Sequence, residues 1–468
     1  MNQMLPSSTY INSVHALKKR EKLFGMLVTR LDSSGKGLIR IKSRTDNRVF
    51  SFAVDQIIPG ERVTLSVDDV RVTTPPGRRK PIRVPQFSFL SSSTPSDLEI
   101  SSCPKFKQGC RGCTFPQLDY KAQLVEKAKF IADILLVGKN KQTTENVFDL
   151  PESIEIPVSG ISHDKFVNNH LDFARLKITG PGTFSTNFDT PFPIKKCPAL
   201  HPHLTFTLEK VQIFLKKFQV FEDRRGTGFI KEVLLRRVED SVLVGIVVAP
   251  IENEIDKLQM TCKQLISEKI AGVSIAVSSL DDCAEDLIFE CVAGSEALDL
   301  RINDGMHLSV SIDSNVFACS ENIRKITNEL MDNIFESKNA VLFVNCKSKS
   351  FLRQIARPSD RFVNHAKDWS GREYVNQIVV DLFDCDSIKR NFQEHFETVV
   401  VCGELSKQMR EYIEENQKIR KVIYATNDVH KIAWDSQKFS KFNMKHIKAY
   451  DESPHNMKVY IIAVLLRK

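Results

Sequence analysis

Ala340-Val341-Leu342-Phe343-Val344 is an unbroken apolar run of the kind that forms a strand buried on both faces. A strand of that kind needs cover on each side, so it points to a sheet layered between helices. Comparable runs follow: Ile378-Val379-Val380-Asp381, Val399-Val400-Val401 and Val422-Ile423-Tyr424, with helical segments between them. Val459 to Leu466 makes a last strand. Alternating strand and helix predict a doubly wound, Rossmann-like sheet over residues 301–468. When such a sheet holds a nucleoside cofactor, a glycine-rich turn follows its first strand, because backbone must approach the ligand closely. Here the turn reads Asn345-Cys346-Lys347-Ser348-Lys349-Ser350, without glycine.

Upstream, residues 85–300 mix strands with helices, an α+β pattern. Leu118, Leu124, Ala128, Ile131 and Leu135 recur at helical spacing between Gln117 and Leu136, and Val211 to Leu215 sits in a second helical pattern. Glu232 to Val238 and Val242 to Val248 read as a strand pair around the Glu239-Asp240 turn. Further back, residues 22–84 carry short strands punctuated by glycine: Phe24 to Val28, Gly37 to Ile41, Val49 to Val54 and Glu61 to Val67. Close spacing of this sort predicts a small OB-type β-barrel, with residues 1–21 as a tail. The barrel either binds a ligand or only supports its neighbour. After it comes a run of unopposed cations, Arg71, Arg78, Arg79, Lys80 and Arg83, kept extended by Pro75, Pro76 and Pro81. Phosphate contact is the functional reading and a solvated linker the plain one.

Cys103-Pro104-Lys105-Phe106-Lys107-Gln108-Gly109-Cys110-Arg111-Gly112-Cys113 brings three thiols close together, two of them in a C-x-x-C step. A tetrahedral thiolate site needs such a set, and Cys197 in Lys196-Cys197-Pro198 is the best-placed fourth ligand. The plain alternative is a group of ordinary reduced cysteines among the 11 in the chain. Cys103-Pro104-x-Phe106, Cys110-x-Gly112-Cys113 and Cys197-Pro198-Ala199-Leu200 resemble the iron–sulfur signature of the RNA 5-methyluridine (uracil-C5) methyltransferase family. Six residues separate Cys103 from Cys110, one more than the family pattern, and Gly109 can absorb the extra residue. The resemblance implies a [4Fe–4S] cluster on Cys103, Cys110, Cys113 and Cys197. It also implies a TRAM-type RNA-binding barrel, a central RNA-recognition domain (echoed at Asn169, His201-Pro202 and Leu234 to Arg237) and a class I adenosylmethionine-dependent catalytic domain.

The same resemblance exposes departures. The family's acid and two glycines after the first strand are Phe343, Lys347 and neighbours here, which speaks against S-adenosylmethionine. Its aspartate and two prolines are matched neither at Cys402-Gly403-Glu404 nor at Asp381-Leu382-Phe383. In the substrate loop, Ser311 to Cys319 keeps two serines but has Phe317 and Cys319 where the family has glutamine and asparagine. The register of Tyr424, Ala433 and Asp435 places Asn427 at the nucleophile's position and Tyr460 at the base's. C5 methylation needs a thiolate to add at C6 and a base to remove the C5 proton. An amide cannot add, and an ordinary tyrosine, with a pKa of about 10, accepts protons poorly at neutral pH. Two readings follow: a catalytically silent RNA-binding member of the family, or a working 23S rRNA or tRNA 5-methyluridine methyltransferase whose motifs align elsewhere.

Composition bounds both. The chain has 468 residues, is 42% hydrophobic and 26% charged, and carries a net charge of +8. That is the balance of a globular protein with a modest bias towards anionic partners. The expected partner is structured RNA, not DNA and not a membrane, since no apolar run approaches the roughly 18 residues of a span. We expect a monomer in the cytoplasm. The acid-free stretch up to Arg20 resembles a mitochondrial transit peptide but is poor in arginine, which makes that address the lesser alternative.

Overall fold

The computed structural model describes residues 9–11, 14–45, 49–73, 82–93, 103–110, 112–139, 157–160, 170–180, 183–185, 196–222, 225–279, 287–314, 319–336, 339–346, 350–364, 377–379 and 396–468. They divide into two compact units. The first comprises Met1–Gln108, Gly112–Phe130 and Pro454–Met457, the second Gly109–Arg111, Ile131–Ser453 and Lys458–Lys468.

In the first unit, β1 (Thr9–Ile11), β2 (Lys22–Leu31), β3 (Gly37–Ser43), β4 (Val49–Val54), β5 (Arg62–Thr73) and β6 (Ile82–Ser92) share one sheet. Antiparallel ladders join β2 to β3 and β5, β3 to β4, and β5 to β6, while β1 lies parallel to β3. Burial in β3 alternates strictly, with Ile39 and Ile41 inward and Arg40 and Lys42 outward, as a strand over one core requires. Met26, Val28, Val63, Leu65 and Val67 complete that core. The β2–β3 turn is built by Asp32, whose Oδ1 accepts from the backbone N–H of Ser34 and Lys36, both at 2.9 Å. Gly35 sits there at φ +80°, and a Cβ on it would lie 2.7 Å from Thr114 Oγ1.

The sheet takes in β1 and β6, so it runs past both ends of the 22–84 segment. Among the described residues no ladder joins β4 to β6; Phe52 and Phe87 instead meet edge-to-face at 5.0 Å. Pro85 within β6 has no N–H to donate, which suits β6 to an edge. Helices α1 (Pro104–Lys107) and α2 (Tyr120–Lys139) follow. In the first unit Gln123 Nε2 donates to Leu118 O (2.8 Å) and its Oε1 accepts from His455 N (2.8 Å).

The second unit holds two large sheets. In chain order it contains β7 (Val158–Ser159), β8 (Phe173–Gly180), β9 (Thr183–Ser185), α3 (Pro202–Leu215), β10 (Ile230–Val238), β11 (Ser241–Val248), α4 (Glu252–Cys262), β12 (Ile270–Val277) and β13 (Glu290–Gly294). The central sheet runs β13-β12-β11-β10-β8-β9. β10 and β11 pair around Glu239, at φ 51°, where the sequence places the turn. β11 is buried on both faces: Val242, Val244, Ile246 and Val248 pack with Leu204, Leu208 and Val211 of α3, and Leu243 and Val247 with Ile312. Hairpin β14 (Ala297–Asn303) and β15 (Met306–Ser311) crosses the expected boundary at residue 300.

The last sheet is formed by β16 (Val341–Val344), β17 (Arg361–Asn364), β18 (Gln377–Val379), β19 (Thr398–Val401), β20 (Lys421–Thr426), β21 (Phe442–Asp451) and β22 (Val459–Arg467), with β7 at its edge. Helices α5 (Ser320–Phe335), α6 (Leu352–Ile355), α7 (Lys407–Glu415) and α8 (Val429–Ser436) accompany it. Strand order is β18-β17-β16-β19-β20-β22-β21-β7, all parallel except β22. Ile323, Ile326, Leu330 and Ile334 of α5 share one core with Val341, Phe343, Val400 and Ile423. The alternate residues Leu342, Val344, Val399, Val401 and Val422 are equally buried. They point to the face of Tyr424, which lies beside Arg410 of α7 and Asp435 of α8. The expected Rossmann-like layering is present.

β16 is anchored at its start by Asp360. This fully buried carboxylate accepts from Val341 N and Arg357 N (both 2.8 Å) and from Arg357 Nη2 (3.0 Å). Asp360→Ala should cost about 3 kcal/mol, because it strands a buried N–H and breaks a buried pair. Arg357→Ala should cost less, since two backbone N–H groups still reach the carboxylate. Denaturant unfolding of both variants checks the order; equal losses would place the anchor elsewhere.

Candidate functional site

The strand order reverses between β16 and β19, and in sheets of this type the crevice beyond the strand ends at that point takes the ligand. The chain turns sharply here. Asn345 has φ 54°, its side-chain amide donates to Glu404 O, and Cys402 N donates to Val344 O at 3.0 Å. Gly403 presses on this turn, since a Cβ there would come within 2.9 Å of Asn345 Cβ. Phe343 stacks on Phe362 of β17 with centroids 4.8 Å apart. Arg353 lies over the Phe362 ring at 4.5 Å and donates to Cys346 O at 3.1 Å.

Tyr460 on β22 belongs to the same cluster as Cys346, Cys402 and Phe351, whose ring centroid is 6.4 Å from its own. Burial, then the charges of Cys402, Cys346 and Glu452, push its phenol well above the ordinary range. A phenol so held stays neutral and accepts no proton from a substrate. Asn427 lies in the open just past β20, next to Asp428, whose carboxylate caps α8 by accepting from His430 N at 3.0 Å. The loop containing the two basic side chains Lys347 and Lys349 lies outside the described residues, as do Asn168, Asn169 and Phe317.

A second group of polar residues lies where the central sheet meets α5. Asp172 accepts from Arg237 Nε (2.6 Å), Ser320 N (2.9 Å) and Ser320 Oγ (2.6 Å). Arg236, 5% exposed, lies over Phe173 at 4.3 Å and donates to Ile312 O (3.3 Å) and Ser314 O (3.0 Å). It thereby pins the start of the Ser311 to Cys319 stretch. Burial lowers the Arg236 guanidinium to about 10, which leaves it charged at neutral pH. His201 caps α3, its Nδ1 accepting from His203 N at 3.2 Å. Burial first, then the Arg237 charge, lowers His201 to about 4. The sequence points to His201 and to the Leu234 to Arg237 strand through the resemblance, and the two arginines inside an otherwise apolar strand call for a buried partner, but nothing in it singles out Asp172 or Ser320.

Cys103 precedes α1, Cys110 follows Gly109 (φ 103°), and Cys197 opens the Pro198-Ala199 turn, with Leu200 N donating back to its carbonyl at 3.2 Å. Cys103, Cys110, Cys113 and Cys197 are each half-buried and none is in a disulfide. Four soft sulfur donors suit iron–sulfur chemistry. Among the described residues, however, no group of three or more His, Cys, Asp or Glu side chains is gathered as a metal site. Arg71 is exposed on β5 and Arg83 lies on β6, whereas Arg78, Arg79 and Lys80 fall outside the described residues. No helix among the described residues is long and apolar enough to cross a membrane.

The fold is similar to that in the crystal structure of a Pyrococcus abyssi tRNA (uracil-54, C5)-methyltransferase in complex with S-adenosyl-L-homocysteine, with a TM-score of 0.63 at 16% identity; the match covers 95% of this chain and 100% of that one. Fainter likenesses reach a complex of aTrm5 with tRNALeu (TM-score 0.31, 14% identity, 61% of this chain and 83% of that one) and Trm5b from Pyrococcus abyssi (0.28, 11%, 50% and 74%). No family model and no curated protein matches the sequence.

The His201 cap gives a pH prediction. The folded imidazole titrates near 4, below the ordinary value of 6.5, so the folded state binds fewer protons between these limits. Stability should therefore fall as pH drops from about 6.5 towards 4. His201→Asn, which keeps a capping side chain without a titrating ring, should flatten that fall. Thermal melts across the range check it, and a nuclear magnetic resonance titration should find His201 neutral at pH 6.

Proposed function

We propose that the chain is an RNA-binding protein of methyltransferase fold that has lost uracil C5 methyl transfer. The observation that carries the reading is Tyr460. The side chain standing where the resemblance places the general base is a buried phenol held neutral by its surroundings. Asn427 supports it from the nucleophile's side, since an amide cannot add to C6. RNA is the proposed partner through the TRAM-like N-terminal sheet and the cations Arg71, Arg78, Arg79, Lys80 and Arg83, whose unopposed charge suits phosphates. The competing reading, a working adenosylmethionine-dependent enzyme, draws on the full-length likeness to a tRNA methyltransferase with a bound cofactor product.

One experiment separates them. Transfer of a labelled methyl group from adenosylmethionine to unmodified tRNA and rRNA should give no 5-methyluridine, and Asn427→Cys alone should not restore it. The same RNAs should bind with an affinity that falls as salt rises, and joint charge reversal of Arg78, Arg79 and Lys80 should weaken binding across sequences. Label appearing at uracil C5 would establish the working enzyme. Silence on both methyl transfer and RNA would remove the proposed partner.

The cluster reading for Cys103, Cys110, Cys113 and Cys197 rests on the motif and on half-buried thiols free of disulfides. Anaerobically purified protein should be brown and hold about four irons per chain. Colourless protein without iron, from cells competent in cluster assembly, would rule the cluster out.

A further inference from the structure

Two thiols outside the proposed cluster meet at the switch point of the last sheet. Cys346 follows β16 and Cys402 follows β19, neighbouring strands in parallel register with Val344 opposite Val401. The turn at Asn345 brings the Cys346 side chain back onto the core, so both sulfurs join one apolar cluster with Phe351 and Tyr460. There the thiols hydrogen-bond each other. The backbone around them is tied down: Cys402 N donates to Val344 O, Asn345 to Glu404 O, and Arg353 to Cys346 O. Cys346 is fully buried, whereas Cys402 is partly accessible. Ordinary packing accounts for one buried cysteine at a strand end. It does not account for two sulfurs in contact across adjacent strands, with a guanidinium alongside.

We propose that Cys346 and Cys402 are a two-electron redox site that closes to a disulfide across β16 and β19 when a low-molecular-weight disulfide is the oxidant. The exposures assign the steps. Cys346 enters as the thiolate and takes the proton of Cys402, the partly exposed residue, whose sulfur attacks the incoming disulfide and releases one small thiolate. Cys346 passes that proton to the released thiolate, attacks the Cys402 sulfur of the mixed disulfide and releases the second small thiolate. One protein thiol, one protein thiolate and one small disulfide thus become one protein disulfide, one small thiol and one small thiolate.

The electrostatics suit that order. Burial opposes charge on Cys346, but the hydrogen bond from Cys402, with Arg353 and Ser350, outweighs it and brings Cys346 below the usual thiol range. Cys402 is pushed up, chiefly by its hydrogen bond to Cys346 and then by burial. Cys346 is therefore the sulfur fitted to take the proton in the first step and to act as resolving thiolate in the second. Closure would fasten the ends of two strands at the place where the fold puts its ligand crevice.

The test is peptide mapping of the folded full-length chain after equilibration with oxidised and reduced glutathione at increasing ratios. The expected result is a peptide pair joined through Cys346 and Cys402, lost on adding dithiothreitol. Cys346→Ser should instead trap a glutathione adduct on Cys402, and Cys402→Ser should leave Cys346 unmodified. Absence of the joined pair at the most oxidising ratio, with circular dichroism showing the chain folded, would overturn the proposal. So would a joined pair that forms only in denaturant. The parent chain alone decides this, so the result stands even where a serine variant fails to fold.

Discussion

The Asp172 carboxylate sets the geometry of the second unit. A buried charge is tolerated only where donors surround it, and here they come from different layers: Arg237 on β10, and the backbone and hydroxyl of Ser320 at the start of α5. The helix N-terminus also favours an anion. Fixing that end of α5 directs Ile323, Ile326, Leu330 and Ile334 onto the last sheet. The preceding residue in β10, Arg236, faces the other way, as strand alternation requires, and takes hold of Ile312 and Ser314. Two adjacent arginines thus tie the central sheet to both the helix and the loop that lead into the last sheet.

Much of this fold could be read in the sequence where burial is simplest. Val341 to Val344, Val399 to Val401 and Val422 to Tyr424 are buried on both faces, so composition alone marked them as inner strands. The β10–β11 hairpin was equally plain, because its turn interrupts two apolar runs. The N-terminal sheet was harder. Its joining of β1 and β6 depends on pairing over long sequence separations, which local alternation does not encode. Domain limits at 84 and 300 fell inside β6 and β14 for the same reason: a turn signal marks where a strand stops, not which sheet it enters.

The site was legible in a different sense. Asn427 and Tyr460 came from the resemblance, and their surroundings came only from the structure. Tyr460 as a residue type says little, because an exposed tyrosine near a cation can ionise with modest help. Its burial beside two sulfurs and Glu452 is what makes it inert. His201, Cys346 and Cys402 each fell inside a stretch compared with the family, but Asp172 and the pairing of the two thiols left no motif. The members of each group lie far apart in sequence.

The cluster around Tyr460 bears on what the strand ends of the last sheet can hold. A crevice kept for an ionic reaction must hold polar or charged groups at the strand ends, and those groups oppose the burial that stabilises the sheet. Here the strand ends carry Phe343 on Phe362, Arg353 over that same ring, and Tyr460 near Phe351. Each contact extends the hydrophobic core towards the edge instead of reserving space for a reacting group. Reversing one position would therefore recover little: a base at 460 would enter an apolar cluster and be neutralised there, as any unpaired buried charge is. The apolar packing at the strand ends and the neutral phenol at 460 are one arrangement viewed from two sides.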